Sequence, residues 1–139
     1  MILLDTSVLS HSFRRRRKGI REHAAAAELR SLILNDEPCA VPGIVLQEIL
    51  SGVKSPRQFT RLQALLDGFP ILLAEERHHE EAARIASACA RRGIALGVVD
   101  GLIAALAVTE RAALFTTDSE FERIAPICGL TLFRVGVGP

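Results

Sequence analysis

Four carboxylates, Asp5, Glu48, Asp100 and Asp118, stand in places where an acid is either costly or well placed for chemistry. Asp5 ends the apolar run Ile2-Leu3-Leu4 and is followed at once by Thr6 and Ser7. Asp118 ends a second run of the same grammar, Ala113-Leu114-Phe115-Thr116-Thr117. Such runs read as buried parallel strands, and open α/β sheets bind their ligands just outside the carboxyl ends of strands. Asp100 opens the very apolar stretch Gly101 to Val108. Glu48 falls within Ile44 to Val53, where a turn of about 100° per residue projects it between Ile44 and Val45, inside the edge of an apolar face. Singly, Asp5, Asp100 and Asp118 have an ordinary explanation as helix N-caps, and Thr117 and Glu120 have the spacing of a capping box. Glu48 has no such excuse.

As a set, the four acids imply a cation. Carboxylates brought together raise one another's pKa unless a positive charge resolves the repulsion. Mg²⁺ or Mn²⁺ suits an all-oxygen site, and can activate water and clamp a phosphate during an in-line displacement. Thr6 and Thr116 are suited to holding the acids by hydrogen bonds or to binding a metal-held water.

The rest of the chain must position these groups, and its pattern alternates strands and helices. Helices are expected over Thr6–Phe13, Ile20–Leu34, Ile44–Val53, from Ser55-Pro56 to a stop at Asp67-Gly68, and over Glu75–Arg92, Asp100–Val108 and Ser119–Ile124. Strands are expected at Ile2–Leu4, Cys39–Val41, Pro70–Ala74, Ala113–Phe115 and Thr131–Arg134, with Pro42-Gly43, Asp67-Gly68 and Gly93 as punctuation. Short apolar strands between helices predict an α/β fold with a parallel sheet covered on both faces. With no repeat, linker or composition break, residues 1–139 read as one domain.

Composition narrows the class. A chain of 139 residues that is 49% hydrophobic but has six Phe and no Trp or Tyr builds its core from Ala, Leu, Ile and Val. The formal net charge of +1 excludes a polyanionic or polycationic protein while leaving room for local patches. Cys39, Cys89 and Cys128 sit among apolar neighbours without zinc-ligand spacing, which predicts reduced, buried thiols and a cytoplasmic setting. No segment reaches ~18 uninterrupted apolar residues, so no membrane span is expected.

The order of the motifs resembles the PIN-domain ribonucleases, and most closely the VapC-type toxins of toxin–antitoxin pairs. The likeness runs through Leu4-Asp5-Thr6-Ser7, Val45-Leu46-Gln47-Glu48-Ile49 with Gly52 after it, Asp100 with Leu102-Ile103-Ala104-Ala105, and Leu114-Phe115-Thr116-Thr117-Asp118-Ser119-Glu120-Phe121. Gly101, where a larger residue is common, and a dense basic run depart from the pattern without removing a catalytic group. The resemblance implies a three-layer α/β/α sandwich with a short parallel sheet in the order 3-2-1-4-5. It further implies Mg²⁺- or Mn²⁺-dependent endonucleolytic cleavage of RNA by metal-activated water. Asp5, Glu48, Asp100 and Asp118 would be the catalytic, metal-holding quartet, and Thr116 the hydroxyl supporting it. A homodimer and a small cognate antitoxin that blocks or disturbs the acidic pocket complete what it implies. The Leu- and Ile-rich helices within Pro42–Asp67 are where a dimer contact is expected.

The basic run Arg14, Arg15, Arg16, Arg17 and Lys18 follows Asp5 closely enough to reach RNA phosphates at the rim of the site, although most such runs are only solvated loops. His11 is near enough in sequence to watch, but a metal–acid mechanism does not need it. Other classes fit less well. A haloacid-dehalogenase-type phosphohydrolase wants a second Asp where Ser7 stands, and a receiver-like domain wants a Lys after a late strand that Lys18 and Lys54 do not supply. The remaining alternative is a catalytically silent PIN-like module that binds RNA or protein.

Overall fold

A computed structural model describes residues 1–13, 19 and 21–136. Five strands form one all-parallel sheet in the order β3-β2-β1-β4-β5, where β1 is Ile2–Leu4, β2 Cys39–Pro42, β3 Ile71–Leu72, β4 Ala113–Phe115 and β5 Thr131–Leu132. Seven helices are seen among the described residues: α1 Thr6–Phe13, α2 Ala24–Leu34, α3 Gly43–Ser51, α4 Pro56–Leu66, α5 Glu76–Ala90, α6 Val98–Thr109 and α7 Glu120–Cys128. The order of strands is the one the family resemblance implied.

Handedness distributes the helices. Parallel crossovers are right-handed, so successive connections that step one way across a sheet lie on one face and those stepping the other way lie on the opposite face. The chain steps β1 to β2 to β3 through α1–α4, then returns past β1 to β4 and on to β5 through α5–α7. Helix contacts agree: α1 packs on α2 and α3, and α3 on α4, whereas α5 packs on α6 and α7. The result is a three-layer sandwich. The direction reverses between β1 and β4, which pair as Ile2 with Ala113, Leu3 with Leu114 and Leu4 with Phe115.

The core is the one its composition predicts. Leu3, Leu4, Leu114 and Phe115 of the central strands are fully buried, and Gly101 to Ala107 of α6 are buried without interruption. Each large side chain sealed this way contributes about 1.5–3 kcal/mol over an exposed one. No helix among the described residues is long and apolar enough to cross a membrane.

Several boundaries differ from expectation for local reasons. The second helix starts at Ala24 rather than Ile20, because His23 caps it: its Nδ1 accepts the Ala25 N–H at 3.0 Å. Glu75 caps α5 in a reciprocal box with His78, so the helix begins one residue later and ends at Ala90. The outer strands shrink to two residues each, Ile71–Leu72 and Thr131–Leu132. Helix α7 runs past Ile124 and through Pro126 to Cys128, then stops at Gly129 in the left-handed region, whose N–H bonds the Ala125 carbonyl. The three cysteines are free; Cys39 and Cys89 are buried, while Cys128 is only half-buried and donates to the Ile124 carbonyl.

Candidate active site

Parallel pairing sets the carboxyl ends of β1 and β4 side by side, the switch in stepping direction sends their following helices to opposite faces, and both strand ends deliver acids there. Asp5 follows Leu4 directly, and its N–H bonds the Phe115 carbonyl at 3.0 Å, so the β1–β4 ladder continues one residue into the site. Asp5 is 6% exposed, one of two buried polar or charged residues among those described. Its Oδ2 accepts two hydroxyls, Thr116 Oγ1 at 2.7 Å and Ser7 Oγ at 2.8 Å. Ser7 Oγ in turn accepts the Thr117 N–H at 2.9 Å, and Thr116 Oγ1 accepts the Asp118 N–H at 3.0 Å. The two strand ends are thus laced through one oxygen of Asp5. Both hydroxyls fall on Oδ2, so Oδ1 is spared them.

The other acids come from both helical layers. Asp100 lies in the first turn of α6, two residues inside the helix instead of opening it, because Gly97 takes the N-cap position. Asp118 stands between β4 and α7, exposed, with its Oδ1 accepting the Glu120 N–H at 2.9 Å. The ordinary capping role therefore falls to Asp118 itself; the Thr117–Glu120 box expected from spacing is replaced by this bond. Glu48 does not lie inside an apolar face. It is exposed, because α3 buries only Val45 completely and leaves Ile44, Leu46, Ile49 and Leu50 half-covered. Thr6 Oγ1 donates to its Oε1 at 2.9 Å, tying α3 to the start of α1.

One electrostatic fact shows that the acids share a field. The Asp100 carboxyl is raised above its ordinary value of 3.8, by burial first and then by the negative potentials of Asp118, Asp5, Glu48 and Glu120. Four acids from three separate parts of the chain act on a fifth. Glu120, the first residue of α7, joins the cluster although sequence reasoning gave it only a capping role; its carboxylate is held by Arg123 Nη1 at 3.0 and 3.1 Å. Ser7 was likewise missed as a bridging group. The signal for both was adjacency to Asp5 and Asp118, but it took the strand register to give that adjacency meaning.

The donor set suits a hard cation: every group is a carboxylate or hydroxyl oxygen. Among the described residues no three His, Cys, Asp or Glu side chains are gathered tightly enough to cage an ion. Mg²⁺ does not require a cage, since it commonly takes one or two carboxylates and keeps several waters. An open set of acids beside a half-buried Asp100 fits that mode. His11 stacks on His23 with ring centroids 3.6 Å apart. The basic run Arg14–Lys18 lies outside the described residues.

A family model described as PIN domain matches residues 2–126. VapC ribonuclease Mb1587 of Mycobacterium bovis is 34% identical over 133 residues, spanning 94% of this chain and 96% of its own. Ribonuclease VapC11 of Mycobacterium tuberculosis matches with the same identity and coverage. Among solved structures, FitAcB of Neisseria gonorrhoeae superposes with a TM-score of 0.74 at 26% identity, over 96% of this chain and 97% of that one. VapBC2 of Rickettsia felis, bound to a DNA fragment from its promoter, gives a TM-score of 0.75 over 96% of this chain and 98% of that one, a likeness of fold at 23% identity.

Proposed function

The chain belongs to the PIN-domain family, and on that premise we propose that it is a divalent-metal-dependent endoribonuclease, the toxin of a toxin–antitoxin pair. The observation that carries the reading is the meeting of Asp5 and Asp118 at adjacent strand ends, laced through Thr116, with Asp100 close enough to the acids for their charge to raise its carboxyl. A fold does not accumulate like charges around a partly buried acid without some later gain; here the gain is affinity for a cation.

Asp5, Glu48, Asp100 and Asp118 are the residues that would hold Mg²⁺ or Mn²⁺. When bound, the ion supplies charge neutralisation at the phosphodiester and activation of the attacking water. The protein's own part is to fix where the oxygens stand. Ser7 and Thr116 pin Asp5 Oδ2, and Thr6 pins Glu48 Oε1. The N–H of Glu120 orients Asp118 by its Oδ1. Each contact leaves the partner oxygen of the same carboxylate for other work. The basic run Arg14–Lys18 is proposed to draw RNA phosphates toward this edge, a contact whose strength falls steeply with salt.

The relatives named as VapC ribonucleases support RNA as the substrate and, with the fold shared with VapBC2, an antitoxin partner. An apolar groove of about 890 Å³ between α2 and α4, lined in part by Phe13, Leu29, Ile33, Leu65 and Phe69, adds support for a protein partner. A homodimer formed through the helices of Pro42–Asp67 is part of the same proposal. Phe59 and Leu65 of α4 are exposed there, at 39% and 42%.

The deciding experiment is cleavage of mixed cellular RNA by purified protein freed of any bound partner, with Mg²⁺, with Mn²⁺ and with a chelator, beside Asp5→Asn. Metal-dependent cutting that vanishes in the variant is the expected result. Well-folded protein that binds RNA but never cuts under either metal would refute the enzyme and leave the silent binding module.

A further inference from the structure

Beside the acidic cluster, and sharing residues with it, lies a second and smaller hollow. Its volume is about 170 Å³, and its walls include Thr116, Asp118 and Ser119 of the β4–α7 connection with Leu132, Phe133 and Arg134 at the end of β5. Pockets that take whole drug-sized ligands measure roughly 300–1,000 Å³, so the occupant here is one fragment-sized group.

Two flat surfaces border this space. Phe133 is half-buried and tilted against Phe115 with ring centroids 4.9 Å apart, so its ring is held by packing. Arg134 is exposed, and its Nη1 donates to Glu122 Oε1 at 2.8 Å, which steadies the guanidinium plane at the rim. An aromatic ring and a guanidinium are the groups on which unpaired bases stack. In a chain with no Trp or Tyr, few other places can offer that combination. Thr116 and Asp118 belong to the hollow and to the carboxylate cluster alike, so a strand whose phosphate reaches the acids brings a neighbouring base to Phe133.

We propose that this hollow is a subsite for one unpaired nucleobase of single-stranded RNA, on a nucleotide next to the phosphodiester that is cut, held by Phe133 and Arg134. The inference rests on the ribonuclease reading above and adds to it a position that holds one base, since a base kept in a duplex cannot enter.

The test uses short single-stranded RNAs in which one abasic nucleotide is moved step by step past the cut. Each is offered to the wild-type protein, to Phe133→Leu, which keeps apolar volume against Phe115, and to Arg134→Gln at an exposed position. For the wild type, the abasic nucleotide at one position should raise KM about 5- to 150-fold, the span that base–aromatic stacking contributes, with kcat changed far less. Phe133→Leu and Arg134→Gln should raise KM for intact RNA and lose little more when that same base is missing. Thermal melts establish that both variants are folded, and a fold that failed would not produce this position-specific non-additivity. Wild-type cleavage that ignores the abasic position, or losses in variant and substrate that simply multiply, would overturn the subsite while leaving the nuclease standing. Protein that neither binds nor cuts RNA would overturn both.

Discussion

Thr116→Val removes a single hydroxyl while keeping the branched shape of the side chain, and the structure says what that hydroxyl does. It donates to Asp5 Oδ2 at 2.7 Å and accepts the Asp118 N–H at 3.0 Å. Asp5 is 6% exposed, so water is a poor substitute for the lost donor. A hydrogen bond to a charged group contributes about 1.5–3 kcal/mol. Ser7 still donates to the same oxygen at 2.8 Å, and the Asp118 N–H lies in exposed surroundings where solvent replaces its partner. The expected loss is therefore the lower half of that span, about 1.5–2 kcal/mol. For a domain of this size it should lower the melting midpoint by roughly 5–10 °C in chelator. Ser7→Ala should cost a comparable amount. The double variant should cost more than the sum, because it strips both hydroxyls from a buried carboxylate. In a metal titration of RNA cleavage, Thr116→Val should lose about 10- to 100-fold in metal affinity or rate, as supporting residues of metal sites commonly do. A Thr116→Val protein that melts within about 1 °C of the wild type and cuts RNA normally would show that Asp5 does not depend on this lacing.

Three further outcomes follow from the same geometry. Burial and the neighbouring acids raise the Asp100 carboxyl above its ordinary 3.8, so its stabilising contribution is complete below that value and is lost as pH rises through the raised one. In chelator, wild-type stability should decline above about pH 4 relative to Asp100→Asn, and Mg²⁺ should narrow the difference; parallel pH profiles would refute the shared field. On the other side of the molecule, Glu110 is held below its ordinary 4.5 by hydrogen bonds first from His78 and then from Arg77. Its contribution is present above that value and disappears as pH falls through the depressed one, so Glu110→Gln should flatten the acid limb of a stability profile, and an unchanged limb would count against the pairing. Phe59→Arg, at an exposed position of α4 outside the groove between α2 and α4, should convert the proposed dimer to monomer in sedimentation without unfolding it, and a dimer left intact would count against this contact. Leu50 is a poorer probe because it packs against the core, so its substitution would confuse assembly with folding.

The sequence by itself determined the kind of fold and most of its elements. Runs such as Ile2–Leu4 and Ala113–Phe115 are too short and apolar to be anything but buried strands, and the unbroken apolar stretch after Asp100 could only be an interior helix. Local patterning carries that much because burial acts on each segment separately. It misjudged what depends on neighbours. Glu48 was placed inside an apolar face on periodicity alone, yet α3 meets the rest of the protein along so narrow a strip that its carboxylate is in solvent beside Thr6. Asp118 keeps the helix-start role its place suggested, bonding the Glu120 N–H, whereas Asp100 sits inside a first turn capped at Gly97.

Only the tertiary structure decided which acids share a field and what holds them. Asp5 and Thr116 are 111 positions apart, and nothing in either stretch says that they bond. They meet because β1 and β4 are parallel neighbours at the point where the order of connections switches, a consequence of strand order and of the right-handed crossovers. The same register brought Ser7 to Thr117, and the packing of α7 on α6 brought Glu120 into the field of Asp100, giving roles to residues that local pattern had left as a neighbour and a cap. Residue type is local and readable along the chain; proximity is set by the sheet, and the chemistry of this edge depends on proximity.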